Sequence, residues 1–321
     1  MKTTLKTPFT KLLGIDYPII MAPMFLVSTT EMIIAALENG ITAAIPALNY
    51  RTDEALRDAI TEIKNATNKP FGINLIVNKS NIKYKKQLDT CVDLKVDFII
   101  TSLGNPKEVI NKCKPKGIKV FCDVVDLKFA LKVQELGADA VIAVNSQAGG
   151  HSGNTQAEVL VPMLVEKLNI PVISAGGIAT NKQLKDAIAL GADAVSIGTI
   201  FIASPEAGVS NDYKNALVEY GANDIIMTSN ISGTPITVIN TPYMQKIGNK
   251  QGTLSKMLGN NKYLKKYIKM FIMIKGMKAI EKAANKPTYK TVWVAGSSIE
   301  HVNSIKPVKE IIEELVTEKS K

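Results

Sequence analysis

The sequence predicts an α/β protein: a (β/α)8 TIM barrel with a mostly helical insertion near the C-terminus. Short apolar segments alternate with segments of helical spacing up to about residue 206, and this alternation is typical of a parallel sheet. We count eight apolar segments, the number that closes such a barrel. The five residues GADAV occur at 137–141 and again at 191–195, which indicates a repeated helix–turn–strand unit.

The predicted strands and helices follow one another along the chain. The strands lie near residues 18–23, 41–46, 71–77, 97–101, 118–122, 140–144, 171–175 and 194–198. The helices between and after them are predicted near 28–38, 52–64, 81–94, 107–113, 127–136, 180–190 and 308–316. Ser28, with Glu31 three residues later, is predicted to cap the first helix, and Thr52 to cap the second. Gly191 stands where a helix needs a left-handed cap.

The pattern changes after about residue 206. Residues 207–220 and the lysine-rich residues 254–285 have helical spacing, whereas 224–239 has the character of an extended or irregular chain. We therefore expect two units. The barrel is predicted to comprise residues 1–206 and 291–321, and the insertion, residues 207–290, is predicted to pack near the barrel mouth.

Composition excludes several classes of protein. The chain has 321 residues, of which 46% are hydrophobic and 21% charged, as in ordinary globular proteins. No apolar run approaches the roughly 18 residues that span a bilayer, and the N-terminal segment MKTTLKTPFT lacks the apolar core of a secretory signal. The three cysteines form no C-x-x-C pair, so neither a disulfide framework nor a metal site is expected. We therefore expect a cytoplasmic protein.

The net charge of +10 raises the question of nucleic acid binding. The lysines are spread widely, Arg51 and Arg57 are the only arginines, and no aromatic stacking motif accompanies them. We therefore expect no nucleic acid partner. The charge is interpreted as a solvated surface that attracts anionic ligands.

Two glycine turns are the main candidates for a binding site. Gly176-Gly177 follows the predicted strand 171–175, and Gly198-Thr199 follows the strand 194–198. Turns without side chains let backbone N–H groups approach a phosphate, and successive strands late in a TIM barrel often hold one. The alternative is that these glycines are only helix caps and tight turns. Because two turns share the same position, the phosphate site is favoured.

His151 is the candidate catalytic residue. It lies among small residues in the segment QAGGHSG, directly after the sixth predicted strand, where TIM barrels carry their active sites. Its ordinary pKa near 6.5 suits acid–base work or the stabilisation of an anion. A structural role is the alternative, and His301, in a late loop, is interpreted as structural or peripheral.

The remaining signals indicate that a cofactor carries out the chemistry. Asn74 lies inside the apolar segment FGINLIV, where its amide is either satisfied by neighbouring backbone or directed at a ligand. The chain has no nucleophile motif, and no G-x-G-x-x-G follows its first strand, so a Rossmann dinucleotide site is not expected. A phosphate site without metal or nucleophile favours a bound cofactor.

Five segments occur in the order PIIMAPM, FGINLIV, GADAVIAVNSQAGGHSG, PVISAGGI and GADAVSIGTIFIASPE. Together they resemble motifs of the nitronate monooxygenase family, formerly called 2-nitropropane dioxygenases, of which enoyl-acyl-carrier-protein reductase II is a close relative. The resemblance covers about residues 12–208 and recurs at 293–296. It implies a TIM barrel that contains FMN.

The resemblance also implies roles for individual residues. His151 matches the active-site histidine of the family. The backbone of Ala22, Pro23 and Met24 would lie along the isoalloxazine ring, and Asn74 would hydrogen-bond the flavin. The residues around the ring edge, ribityl chain and phosphate would be Gly149, Gly176, Gly177, Ser196, Gly198 and Thr199. The predicted cofactor-binding set is completed by Asp123, Gly150, Ser174 and Ile197.

The sequence departs from the family pattern at four positions. Family members often have glutamine at Val144 and glycine at Asn145, and many bacterial members have a basic residue near Asp123. The late loop is often AGQ, whereas this chain has serine at 297. These departures concern the substrate and details of flavin contact.

Three functions follow from the resemblance. The first is oxidation of alkyl nitronates with O2 to carbonyl compounds and nitrite, with a nitronate or similar small anion as substrate. The second is NAD(P)H-dependent reduction of an enoyl thioester or another acceptor, for which the lysine-rich segment 254–285 could offer a surface to an acidic carrier protein. The third is non-catalytic flavin binding, which the intact His151 loop disfavours. Use of NAD(P)H and the oligomeric state are left open.

Overall fold

A computed structural model describes residues 5–78, 81–229, 235–247 and 292–318. Eight parallel strands close into a barrel in chain order. They are β1 Ile19–Met21, β2 Thr42–Pro46, β3 Gly72–Ile76, β4 Phe98–Ser102, β5 Lys119–Val124, β6 Ala140–Val144, β7 Val172–Ala175 and β8 Ala194–Ile197. The predicted TIM barrel is confirmed, and each strand agrees with its predicted bounds to within two residues.

The helices of the described residues surround this barrel. They are α1 Pro8–Leu13, α2 Thr30–Glu38, α3 Asp53–Ala66, α4 Tyr84–Asp93, α5 Lys107–Cys113, α6 Leu127–Glu135, α7 Ala157–Lys167, α8 Asn181–Ala189, α9 Thr199–Ile202, α10 Asn211–Glu219, α11 Pro242–Ile247 and α12 Val308–Val316. Helices α2 to α8 each connect two successive strands. Helix α12 packs against α2 and α8, so it completes the outer ring.

One predicted helix cap is wrong. Helix α2 begins one residue after Thr29, whose Oγ1 accepts a hydrogen bond from Met32 N at 3.1 Å. Ser28, the predicted cap, instead accepts from Met24 N at 3.0 Å and stabilises the turn after β1. Adjacent hydroxyl residues compete for the cap position, and the backbone direction selects between them. The caps predicted at Thr52 and Gly191 are present.

The barrel interior is a separate apolar core. It contains Phe9, Ile20, Ala44, Phe98, Ile100, Phe121, Ile142, Ile173 and Ala194. Residues two apart on a strand share a face, so the interior residues alternate with residues that pack against the helices. Phe98 and Phe121 stack with ring centroids 4.8 Å apart. Phe9, on helix α1, which the sequence analysis did not predict, lies against Phe121 and closes the N-terminal end of the barrel.

Three aspartates join neighbouring strands at the N-terminal end. Asp97 Oδ2 accepts from Phe71 N at 3.1 Å, Asp139 Oδ2 from Val120 N at 2.8 Å, and Asp193 Oδ2 from Val172 N at 2.9 Å. Asp139 and Asp193 are the aspartates of the two GADAV segments. The sequence repeat therefore corresponds to a repeated connection between strands.

An antiparallel hairpin, β9 Ile225–Thr228 and β10 Ile236–Ile239, lies at the opposite end. Thr237 N donates to Gly150 O at 2.9 Å, and Ile239 N donates to Trp293 O at 2.8 Å. The hairpin thus lies against the loop that carries His151. The lysine-rich segment 254–285 lies outside the described residues, and the division at residues 207–290 stays a prediction.

Candidate active site

The C-terminal ends of the eight strands form the barrel mouth. Because parallel strands of a closed barrel end at one rim, residues predicted from separate segments share this region. On one arc, β6, β7, β8 and β1 supply the His151 loop, the two glycine turns and Ala22–Pro23–Met24. On the opposite arc, β3, β4 and β5 supply Asn74, Ser102 and Asp123.

The two glycine turns and the segment after β1 are neighbours around the rim. Ala175 pairs with Ser196 between β7 and β8, and Met21 pairs with Ile197 between β8 and β1. Ala22 N donates to Ile197 O at 2.8 Å and extends this pairing beyond the strands. The geometry therefore gives one continuous surface of backbone from Gly176 to Met24.

The first turn needs glycine for packing as well as for conformation. Gly176 and Gly177 have φ of +117° and +79°, which other residues rarely adopt. A Cβ on Gly176 would lie 2.4 Å from Asn145 Oδ1, so the loop after β6 already approaches this turn closely. The interpretation of these glycines as caps and tight turns therefore explains part of the pattern.

Gly198, in the second turn, differs from Gly176 and Gly177 in conformation and packing. Its φ of −119° is open to any residue, and a Cβ would meet Met24 Sδ at 3.4 Å, an ordinary contact. Neither conformation nor packing within the described residues requires glycine at this position. Among those residues, the amides of Gly177 and Gly198 also donate to no acceptor. A position that is small without a packing reason, beside free donors, fits a ligand phosphate.

Asn145, which the sequence marks only as a departure from the family pattern, fixes the His151 loop. It is fully buried. Its Oδ1 accepts from Gln147 N at 2.8 Å, and its Nδ2 donates to Gly176 O at 3.0 Å. One amide therefore holds the start of the His151 loop and the first glycine turn together.

A third loop, residues 295–297, interlocks with the same region. Gly296 N donates to Thr199 Oγ1 at 3.0 Å, and Ser297 N donates to Gln147 O at 3.3 Å. A Cβ on Gly149 would lie 2.9 Å from Gly296 N, so these backbones pack without room for a side chain. Gly149 is thus explained by loop packing, and its contact with a cofactor stays a prediction.

His151 follows Gly150, whose carbonyl is held by hairpin residue Thr237. The His151 side chain is exposed to solvent, yet the protein around it desolvates the imidazolium and lowers the pKa of His151 below its ordinary value. The imidazole is therefore neutral at neutral pH, so it has a lone pair that can accept a proton. This protonation state favours a base over a positively charged anion partner.

A row of three polar side chains crosses the opposite arc. Asn74 Nδ2 donates to Ile100 O at 3.2 Å and to Ser102 Oγ at 2.8 Å. Ser102 Oγ donates to Asp123 Oδ2 at 2.5 Å. Asn74 thus contacts both backbone and a polar side chain. Ser102 was not predicted, because its only signal in the sequence is a polar residue at the end of an apolar strand.

Burial raises the pKa of Asp123 to about 6, although the Ser102 hydrogen bond acts in the opposite direction. No lysine, arginine or histidine of the described residues forms an ion pair with this carboxyl. Its partner on β6 is the apolar Ile142. Asp123 is therefore a carboxyl that changes charge close to neutral pH.

Two predicted cofactor residues face away from the mouth. Ile173 and Ala175 belong to the interior core, so Ser174 between them points to the helices. Ile197 packs in the outer core between strands and helices. A contact of either residue with a ligand in the mouth would have to come from its backbone, and both stay predictions. Ser196, by contrast, alternates onto the interior face beside Ala194.

Metal and thiol chemistry have no candidate groups in the described residues. No cluster of histidine, cysteine and carboxylate side chains there could hold a metal ion. Cys91, Cys113 and Cys122 are buried and free, and burial raises the pKa of Cys122 to about 12. None of the described helices is long and apolar enough to cross a membrane.

The sequence matches the nitronate monooxygenase family over residues 6–318. The structure is similar to FabK from Thermotoga maritima, with a TM-score of 0.84, 33% identity, and coverage of 97% of this chain and 95% of that one. The chain is 28% identical to a (3aS,4S,5R,7aS)-5-hydroxy-7a-methyl-1-oxo-octahydro-1H-indene-4-carboxyl-CoA dehydrogenase from Rhodococcus jostii (strain RHA1), over 92% of this chain and 84% of the relative. It is 29% identical to a probable nitronate monooxygenase from Staphylococcus saprophyticus, over 76% of this chain and 81% of the relative.

The fold, the mouth and these similarities define a flavin-dependent oxidoreductase built on a TIM barrel. Within that class, the chain belongs to the nitronate monooxygenase family. The resemblance predicted from five sequence segments is thereby confirmed.

Proposed function

We propose that the protein binds FMN in the barrel mouth and oxidises alkyl nitronates with O2 to carbonyl compounds and nitrite. The observation that carries the proposal is the Asn145 amide, which links the His151 loop to the Gly176 turn. It joins a neutral, accessible histidine to a candidate phosphate site through one buried side chain. A base and a cofactor site held together in this way fit acid–base work beside a bound flavin.

The phosphate of FMN fits the free amides of Gly177 and Gly198. These turns offer one phosphate site, and the chain has no dinucleotide fingerprint, so FMN is favoured over FAD. The backbone of Ala22, Pro23 and Met24 is proposed to lie along the flavin ring. The other residues proposed to contact the cofactor are Asn74, Asp123, Gly149, Gly150, Ser174, Gly176, Ser196, Ile197 and Thr199.

Bound FMN would supply the electron acceptor and the reaction with O2. His151 would accept the proton from the carbon next to the nitro group when the substrate is a neutral nitroalkane. Its lowered pKa keeps it ready for this role at neutral pH. A preformed nitronate has already lost that proton, so with this substrate His151 only positions the anion.

A second candidate is NAD(P)H-dependent reduction of an enoyl thioester. The name of the Rhodococcus jostii relative contains a coenzyme A thioester, which favours substrates of this class. In this case a nicotinamide would reduce the flavin, and the thioester would be the final acceptor. The lysine-rich segment that could bind an acidic carrier lies outside the described residues.

Anaerobic mixing distinguishes these functions. The purified protein is mixed with a primary alkyl nitronate, and separately with NADH and with NADPH, while the flavin absorbance is followed. We expect rapid bleaching by nitronate and none by either nicotinamide. Bleaching only by NADH or NADPH would replace the first candidate with the second. A flavin that none of them reduces would favour non-catalytic flavin binding.

A further inference from the structure

The direction of the row from Asn74 to Asp123 is fixed by its first acceptor. Ile100 O can only accept, so the Asn74 atom that faces it is the amide nitrogen. The second amide hydrogen goes to Ser102 Oγ, which therefore uses its own hydrogen for Asp123 Oδ2. Each group has one possible role, and the row ends on the carboxyl of Asp123.

Two oxygens of this row remain available to a ligand. Asn74 Oδ1 and Asp123 Oδ1 have no hydrogen-bond partner among the described residues. Asn74 is buried and Asp123 is half-buried. Asn74 and Asp123 lie on the interior face of the barrel, two residues beyond Gly72 and Phe121 respectively. The free oxygens thus belong to the mouth.

The surroundings of Asp123 offer little to hold its negative charge. Ser102 on β4 donates one hydrogen bond, and Ile142 on β6 donates none from its side chain. The titratable neighbour on β5 is the buried thiol of Cys122, and Asp123 helps to raise the pKa of that thiol. On the other arc of the mouth, His151 is neutral at neutral pH because its pKa is lowered. A further negative charge in the mouth would therefore act strongly on this carboxyl.

We propose that Asp123 takes up one proton when the flavin in the barrel mouth is reduced. The proposal rests on the proposed binding of FMN in this mouth. A reduced flavin bound here would carry a negative charge on its ring at neutral pH, and a like charge beside Asp123 would favour the neutral form of its carboxyl. Since the pKa of Asp123 already stands at about 6, a rise of about one to two units is enough to protonate it at pH 7.

Protons and electrons are taken up together in this step. Reduction of a bound flavin by two electrons from the electrode would add one proton and one negative charge to the ring, and the Asp123 carboxylate would take a second proton from solvent. When an electron acceptor reoxidises the flavin, Asp123 returns its proton to solvent. The wild-type protein thus takes up two protons for two electrons between about pH 6 and 8, whereas a protein without the carboxyl takes up one.

Infrared difference spectroscopy tests this directly. The flavin-loaded protein is reduced electrochemically at pH 7.5, without any substrate, and the reduced-minus-oxidised spectrum is recorded in H2O and in D2O. We expect a protonated carboxyl C=O band that appears on reduction and shifts in D2O. Asp123→Asn should lack the band, and its flavin midpoint potential should fall half as steeply with pH.

Two further variants test whether the infrared band and the pH dependence of the potential arise from Asp123. Asp193→Asn changes a half-buried aspartate at the opposite end of the barrel and should keep the band. Ser102→Ala removes the hydrogen bond that opposes the raised pKa of Asp123, so the change of slope in potential against pH should move to higher pH. If the slope of midpoint potential against pH changed at the same pH in Ser102→Ala as in wild type, Ser102 would not influence the protonation of Asp123.

The outcomes separate this inference from the proposed function. A flavin-loaded wild-type protein without the band, or an Asp123→Asn variant that keeps it, overturns the inference and leaves FMN binding intact. A purified and reconstituted protein that holds no flavin overturns the proposed function and the inference together.

Discussion

Both ends of the barrel carry aspartates in or directly before its strands, but their partners differ. At the N-terminal end, Asp97, Asp139 and Asp193 each accept a backbone N–H from the neighbouring strand. At the mouth, Asp123 Oδ2 accepts one serine hydroxyl, and its Oδ1 accepts no hydrogen bond from the described residues. Burial raises the pKa of Asp193 as well, but there a backbone N–H opposes the shift.

The difference separates stability from function. A carboxylate that accepts a backbone N–H satisfies a donor that would otherwise be buried without a partner, so it stabilises the fold. A carboxylate whose own oxygen lacks a donor costs folding free energy, and such residues cluster at functional sites. The same contrast applies to glycines: Gly72 at the N-terminal end makes room for Phe98, whereas Gly198 at the mouth makes room for no described side chain.

The largest effect is expected from a charge at the mouth. Gly198→Asp should lower FMN affinity about 100-fold or more, because like charges about 4 Å apart repel by about 1–4 kcal/mol and the side chain also blocks the amides. Equilibrium dialysis with FMN measures the loss. Gly198→Ala is the matched control and should fold normally, since its Cβ meets only ordinary contacts. Full flavin occupancy in a folded Gly198→Asp protein would mean that the phosphate binds elsewhere.

His151→Ala should reduce turnover while flavin stays bound. We expect a loss of about 100-fold or more on a neutral nitroalkane, the range of general acid–base groups, and a smaller loss on its preformed nitronate. Steady-state rates on both forms measure the difference. His301→Ala is the control, since His301 contacts Gln183 on helix α8 at 3.1 Å. Near wild-type rates of His151→Ala on both substrates would make His151 structural.

Asp193→Ala tests whether an aspartate at the N-terminal end of the barrel stabilises the fold. The buried N–H of Val172 would lose its acceptor, at a cost of about 1–3 kcal/mol in the free energy of unfolding. Urea denaturation at pH 7 measures this cost. Flavin affinity of the folded variant should be unchanged. An unchanged free energy of unfolding would show that the Asp193 hydrogen bond does not stabilise the fold, which would contradict the contrast between the two ends of the barrel.

Asp123→Asn should instead raise the free energy of unfolding above about pH 6. The folded pKa of Asp123 is about 6 and its ordinary value is 3.8, so the ionised form is disfavoured in the folded state. The cost grows as pH rises from about 4 to 6 and then stays constant at about 2–3 kcal/mol. The asparagine side chain carries no such charge, so the variant should be more stable than wild type at pH 8 and equal to it near about pH 3.5. A destabilised variant at pH 8 would contradict this account.

The repeated parts of the fold were predictable because their signals are local. The strand segments, the Thr52 cap, the GADAV repeat and the two glycine turns can each be predicted from a short segment of the sequence. The contacts that build the mouth join residues far apart in the chain. The row from Asn74 through Ser102 to Asp123 depends on the register of three strands, and Gly149 meets Gly296 only when the barrel has closed. A single sequence does not contain that register.

The identity of the bound flavin tests the central claim most directly. The protein is purified, reconstituted with a mixture of FMN and FAD, and denatured, and the released flavin is identified and counted by chromatography. The account predicts FMN at one molecule per chain in wild type and none in Gly198→Asp, with both proteins folded by circular dichroism. FAD in place of FMN, or no flavin after reconstitution, would contradict it.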